Sequence, residues 1–121
     1  MNNLRVSIVQ GETRWHDPAG NREYYGELIA PLHGTTDLVV LPEFCNHLSW
    51  YENKQHCFDV SVRLDGPFLA AIAGRARELG MHVVVNCTVQ RDDGSATGSG
   101  LLYSPAGLLL ADNTKQIYIG H

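Results

Sequence analysis

The sequence predicts an α/β domain, and three observations carry that reading. Short apolar runs rich in valine and isoleucine end at proline or glycine; two stretches carry apolar residues at helical spacing; and the two kinds of segment alternate along the chain. With 121 residues the chain suits one domain over 1–121, large enough for a core but burying a smaller share than a large enzyme does. A composition that is 44% hydrophobic and 18% charged is that of a globular rather than a disordered chain.

Val6-Ser7-Ile8-Val9-Gln10 is short, β-branched and mostly apolar, so it reads as a strand covered on both faces over 6–10. Asp17-Pro18 signals a helix start, with Asp17 as the cap and Pro18 at the first helical position. Tyr25, Leu28, Ile29 and Leu32 follow at i, i+3, i+4 and i+7 and predict one apolar stripe, which Pro31 and His33-Gly34 bring to an end. Asp37-Leu38-Val39-Val40-Leu41 is a second buried strand, cut off by Pro42-Glu43. The strand–helix–strand order is that of a parallel crossover unit.

Residues 44–64 show no clean period and read as an irregular loop with room for one helical turn. Gly66-Pro67 opens a clearer helix, with Leu69, Ile72, Ala73, Ala76 and Leu79 on one face and Gly80 where a left-handed cap belongs. Met81 to Gln90 is the third strand; Met81, Val83, Val85, Cys87 and Val89 share one face, and the other is more polar and less deeply covered. Arg91-Asp92-Asp93-Gly94-Ser95 reads as a hairpin loop. Two further short strands, Leu101-Leu102-Tyr103 and Leu108-Leu109-Leu110, are joined by a turn at Ser104-Pro105-Ala106-Gly107.

A formal charge of −4 without a basic patch argues against nucleic acid or an anionic membrane as partner. The apolar runs are too short for a membrane span, and the polar start Met1 to Arg5 shows no signal peptide. Cys45, Cys57 and Cys87 are an odd number without metal-like pairing, which fits reduced thiols in a cytoplasmic protein. The six histidines are scattered, so neither a metal site nor a cofactor is expected. Gly98 and Gly100 flank Ser99 in a strand rather than in a phosphate-binding loop.

Two residues stand where chemistry is placed in α/β folds. Glu43 directly follows a buried strand, and Pro42 forces the chain out of the ladder there. A carboxylate held at that point and partly desolvated is suited to take a proton from a nucleophile. Lys115 lies just past the last strand and could hold negative charge developing on a reacting carbonyl or nitrile. Taken alone, either residue reads more readily as a solvated surface group than as a catalytic one. Cys45, two residues after Glu43, is expected to be a structural thiol, because a catalytic thiol needs its base within hydrogen-bond reach and a free cysteine is more often a buried packing residue. Trp15-His16, and His47 with Trp50-Tyr51, could line a pocket, but they read more readily as packing or surface residues.

Taken together, the segments resemble the nitrilase superfamily of carbon–nitrogen hydrolases, through nearly the whole chain. The matching pieces are Leu4 to Gln10, Asn21 in the first helix, Asp37-Leu38-Val39-Val40-Leu41-Pro42-Glu43, Gly66-Pro67, Ala76-Arg77-Glu78-Leu79-Gly80-Met81, and Asn113-Thr114-Lys115-Gln116. Asn113-Thr114 departs from the tyrosine–arginine often found before the family's lysine. The resemblance implies a Glu–Lys–Cys triad in which the thiol attacks an amide or nitrile carbon and water releases the product. Glu43 would be the general base, and Lys115 would steady the tetrahedral intermediate. The family's cysteine lies downstream of the lysine, so the nucleophile is expected beyond His121 and this chain alone is expected to be inactive.

The implied fold is half of an α-β-β-α sandwich: a mixed sheet with two helices on one face, the N-terminal part of a longer domain. The implied partners are a small-molecule amide or nitrile and, through the uncovered sheet face, a second copy of the chain (a homo-oligomer) or the missing half. A non-catalytic binding or assembly module that keeps half of the hydrolase fold is the alternative. The two differ in whether a cysteine segment follows in the parent gene.

Overall fold

The structure is a computed structural model that describes residues 3–13 and 17–115. Its elements run β1 (Val6–Ile8), α1 (Pro18–Ile29), a 3-10 turn (Ala30–Leu32), β2 (Leu38–Val40), α2 (Lys54–Val60), α3 (Pro67–Leu79), β3 (His82–Gln90), β4 (Ala96–Tyr103) and β5 (Leu109–Thr114). The strands form one mixed sheet in chain order, β1-β2-β3-β4-β5. The first three run parallel, because helices carry the chain back between them, and the last two return as antiparallel hairpins.

α1 begins as the sequence foretells: Asp17 accepts the Gly20 N–H at 2.9 Å, with Pro18 in the first helical position. Its α-helical hydrogen bonding ends at Ile29, and Pro31 sits in the tighter turn that follows. The buried stripe of α1 differs from the expected one. Asn21, Tyr25, Gly26 and Ile29 face inward, while Leu28 is 37% exposed, because the helix leans on α3 through the side that carries Gly26. In α3 the buried residues are Phe68, Leu69, Ile72, Ala76 and Leu79, and Gly80 closes the helix at φ 64°, ψ 37°. That left-handed conformation is one a glycine adopts without steric penalty.

α1 and α3 pack against each other and therefore share one face of the sheet. Beneath them Tyr25, Ile29, Leu69, Ile72, Ala76 and Leu79 close over Val39, Val83, Val85, Leu101 and Tyr103 in a single core. Period-two alternation sends the alternate residues to the other face, where the register aligns Ile8, Val40, Val84 and Leu102. Among the described residues no helix covers that face. Ile8 is 74% and Val6 49% exposed, so β1 is not covered on both sides as its composition suggested.

Three strand boundaries and one helix differ from the sequence reading. β1 stops at Ile8, although Val9 still donates to Val40 O at 2.9 Å. The stretch read as an irregular loop contains a seven-residue helix, α2, capped by Asn53, whose side chain accepts the His56 N–H. β4 starts at Ala96 and β5 runs on to Thr114, both longer than their apolar cores. Among the described residues no helix is long and apolar enough to cross a membrane.

Candidate active site

β2 delivers Glu43 to the carboxyl end of the parallel strands. Leu41 continues the ladder by donating to Val84 O at 2.9 Å, and Pro42, without an N–H, ends it. Glu43 opens a turn. Phe44 follows at φ 54°, and among the described residues it is the one non-glycine with a positive φ. The reversal turns Cys45 into the core, where its N–H returns to the sheet by donating to Asn86 O at 3.1 Å.

Asn46 then fastens the loop. Its side-chain NH2 donates to Val60 O (3.0 Å) and Thr88 Oγ1 (2.9 Å), and its Oδ1 accepts the Thr88 N–H at 3.1 Å. Asn21 of α1 donates to the Asn46 carbonyl at 2.9 Å, and both asparagines are fully buried. The segment from Cys45 to Val62 is thus tied at both ends to the far half of β3, with Val62 bridging Val89.

Lys115 arrives from the other side of the sheet. It directly follows β5, and its N–H donates to Gly98 O at 2.8 Å. Its Cδ lies 3.6 Å from where a Cβ on Gly98 would stand, so the stem runs over that glycine. Its Nζ ends 2.6 Å from Glu43 Oε1 and 5.7 Å from the centre of the Phe44 ring. Glu43 and Lys115, 72 positions apart in sequence, therefore converge at one edge of the sheet, as the sequence led one to expect. The expected desolvation is not found: the Glu43 side chain is 62% exposed and that of Lys115 43%, because both stand on the uncovered end of the sheet. An ion pair so exposed adds little stability, so the strand ends rather than the pair's attraction set its geometry.

The carbon–nitrogen hydrolase family pattern matches residues 5–119. The chain belongs to the carbon–nitrogen hydrolase family. Among solved structures it is similar to a CN-hydrolase superfamily protein of Xanthomonas campestris that carries an arsenic adduct in its active site. The two are 38% identical with a TM-score of 0.84, over 97% of this chain and 42% of that one. An N-terminal amidase shares the fold at 13% identity and TM-score 0.83, over 96% of this chain and 28% of the other. A carbon–nitrogen hydrolase of Helicobacter pylori G27 shares it at 16% identity and TM-score 0.79, over 93% and 39%. The chain spans less than half the length of each. No curated protein matches it.

All three cysteines of this hydrolase-family chain are free thiols, and burial raises each above its usual range. Cys45 is fully buried and pushed well up, Cys87 is pushed up to about 12, and half-buried Cys57 is raised. A thiol held protonated is a poor nucleophile, so Cys45 is a packing residue despite its place beside Glu43. His47 is buried and stacks on Tyr51 (5.8 Å) and edge-on to His56 (5.5 Å), with Trp50 6.1 Å from His56, which is a packed aromatic cluster. Trp15 and His16 lie outside the described residues, as do residues 116–121 of the lysine segment. Among the described residues, no three metal-ligating side chains cluster.

Two residues of the site escaped the sequence reading. Asn46 carried a signal, a polar side chain among apolar neighbours just past the strand; Phe44 carried none beyond its adjacency to Glu43.

Proposed function

We propose that this chain supplies the general base and the oxyanion-supporting cation of an enzyme that hydrolyses a non-peptide carbon–nitrogen bond in a small amide or nitrile. The observation that carries the reading is the 2.6 Å approach of Lys115 Nζ to Glu43 Oε1 at the ends of two different strands. Strand ends at the carboxyl side of parallel strands are where α/β proteins assemble sites, and in this reading both groups face one reacting carbon. The nucleophile is a cysteine outside these 121 residues, since each of the three present is buried or half-buried and held protonated.

In the proposed reaction Glu43 accepts the thiol proton as sulfur bonds to the amide carbon. The Lys115 ammonium faces the oxygen on which negative charge develops. Glu43 returns its proton to the departing nitrogen, which leaves as ammonia, and water then cleaves the thioester. The groups named need no cofactor, and free thiols suit the cytoplasm as the working compartment.

Ammonia release from small aliphatic amides tests the reading, comparing the 121-residue chain with one extended through the downstream coding sequence. The extended chain should turn over and the short one should not. In the extended chain Glu43→Gln should lower kcat by roughly 10²-fold or more, the usual scale for a lost general base. Turnover by the short chain, or unchanged kcat in Glu43→Gln, would refute the proposal.

A further inference from the structure

Phe44 has an unusual backbone and an unusual neighbour. Its φ of 54° is a conformation that a bulky residue adopts only where its surroundings enforce it. In an extended chain Glu43 and Phe44 would point to opposite sides. Here both reach the same ammonium, Glu43 at 2.6 Å and the Phe44 ring centre at 5.7 Å, while Cys45 takes the buried position. The Lys115 backbone is bonded to the Gly98 carbonyl and its stem passes over that glycine, and its nitrogen meets both a carboxylate and the face of an aromatic ring. We infer that Phe44 is a positioning residue for the Glu43–Lys115 pair: its left-handed backbone aims its ring beneath the ammonium and keeps the nitrogen against the carboxylate. The inference rests on the proposed role of that pair and assigns the ring, rather than the ion pair alone, the task of holding the lysine at an otherwise open site. A cation within about 6 Å of a ring centre is attracted by the ring's quadrupole, and at an exposed site that attraction is on the same scale as an exposed ion pair.

The chain has two lysines, Lys54 and Lys115, and Lys54 at the exposed start of α2 serves as an internal reference. Acylation of the folded chain with limiting acetic anhydride, read by peptide mass spectrometry, gives the Lys115:Lys54 labelling ratio. Acylation requires the nitrogen to leave both contacts. Phe44→Gly suits the positive φ and deletes the ring; it should raise the ratio about three-fold, the scale of an exposed cation–π contact. Phe44→Leu, which keeps apolar bulk and serves if the glycine variant folds poorly, should raise it similarly. Phe44→Tyr should restore the wild-type ratio. Cys45 should stay unreactive to a thiol reagent in all three, showing that the loop is intact.

A wild-type ratio in Phe44→Gly and Phe44→Leu, with a raised ratio in Glu43→Gln, would overturn the assignment of Phe44 and leave the pair standing. An unchanged ratio in Glu43→Gln as well would remove the pair, and the proposed function with it. Failure of Phe44→Tyr to restore the ratio, or exposure of Cys45 alongside Lys115, would equally overturn the role of the ring.

Discussion

Removing the Asn46 side chain tests how firmly the Glu43 loop is held. Asn46→Ala deletes three hydrogen bonds, to Val60 O, to Thr88 Oγ1 and from the Thr88 N–H, at a fully buried position. Each ordinary bond contributes about 1 kcal/mol net, and a buried donor left unsatisfied costs about 1–3 kcal/mol. The Thr88 N–H is such a donor, since Thr88 is only 5% exposed. The sum is a loss of about 4 kcal/mol, a large part of the roughly 5–15 kcal/mol of a typical domain. At about 4 °C per kcal/mol for a chain of this size, Tm should fall by about 15 °C. Urea unfolding followed by circular dichroism measures it, as a lower midpoint at unchanged slope.

Asn46→Asp sharpens the test, because it keeps the acceptor for Thr88 but turns an oxygen toward Val60 O. A buried, unpaired carboxylate is costly, so the introduced group should titrate above the normal carboxylate range. The variant should then regain stability as pH falls from neutral, the reverse of ordinary acid destabilisation. A loss below about 1 kcal/mol for Asn46→Ala would mean that water replaces the amide, and the account of the loop would be wrong.

Three further outcomes are expected. Arg5 holds the Asp37 carboxyl at about 2, against an ordinary 3.8, so the stability from this pair is full above 3.8 and is lost as pH falls toward about 2; Asp37→Asn should flatten acid unfolding in that window, and an unchanged acid limb would argue that the pair does nothing. Cys45 and Cys87 should resist Ellman's reagent at pH 8 in the folded chain and react in denaturant, with Cys57 intermediate; fast labelling of Cys45 would contradict its burial. The uncovered face with Val6, Ile8, Val40, Val84 and Leu102 should drive self-association detectable by light scattering, and Ile8→Lys should shift the chain toward monomer; a wild type monomeric at high concentration would refute this.

Much of the fold could be read in advance because single residues carry strong local rules. Asp17-Pro18 and Gly80 fixed helix ends, and the valine alternation of β3 set which of its side faces the core. What escaped depended on pairing partners distant in sequence. Gly98 and Gly100 were read as strand residues, but that their stretch is continuous with Leu101-Leu102-Tyr103 as one strand from Ala96 depends on its register against Thr88 and Asn86 of β3. α2 escaped because it buries no apolar stripe: Asn53 caps its start, and Gln90 and Asn46 donate to the Phe58 and Val60 carbonyls at its end. The Leu28 stripe failed because contact with α3 rotated the buried face of α1 toward Gly26. In the site, Glu43 and Lys115 were legible from the strands that end at them, whereas Phe44 depended on one backbone torsion and Asn46 on acceptors up to 42 positions away.

The change from parallel to antiparallel pairing at β3 has a kinetic consequence. β3, β4 and β5 are joined by tight turns and can zip in sequence on the microsecond scale of hairpins, about 1–10 μs each. β1 and β2 pair only after the chain between them has been ordered as helix, so their loop-closure entropy must be met first. Lys115 belongs to the early-forming half and Glu43 to the late one. Their meeting should therefore mark the end of folding, and a probe at that junction would report completion where backbone signals had already levelled off.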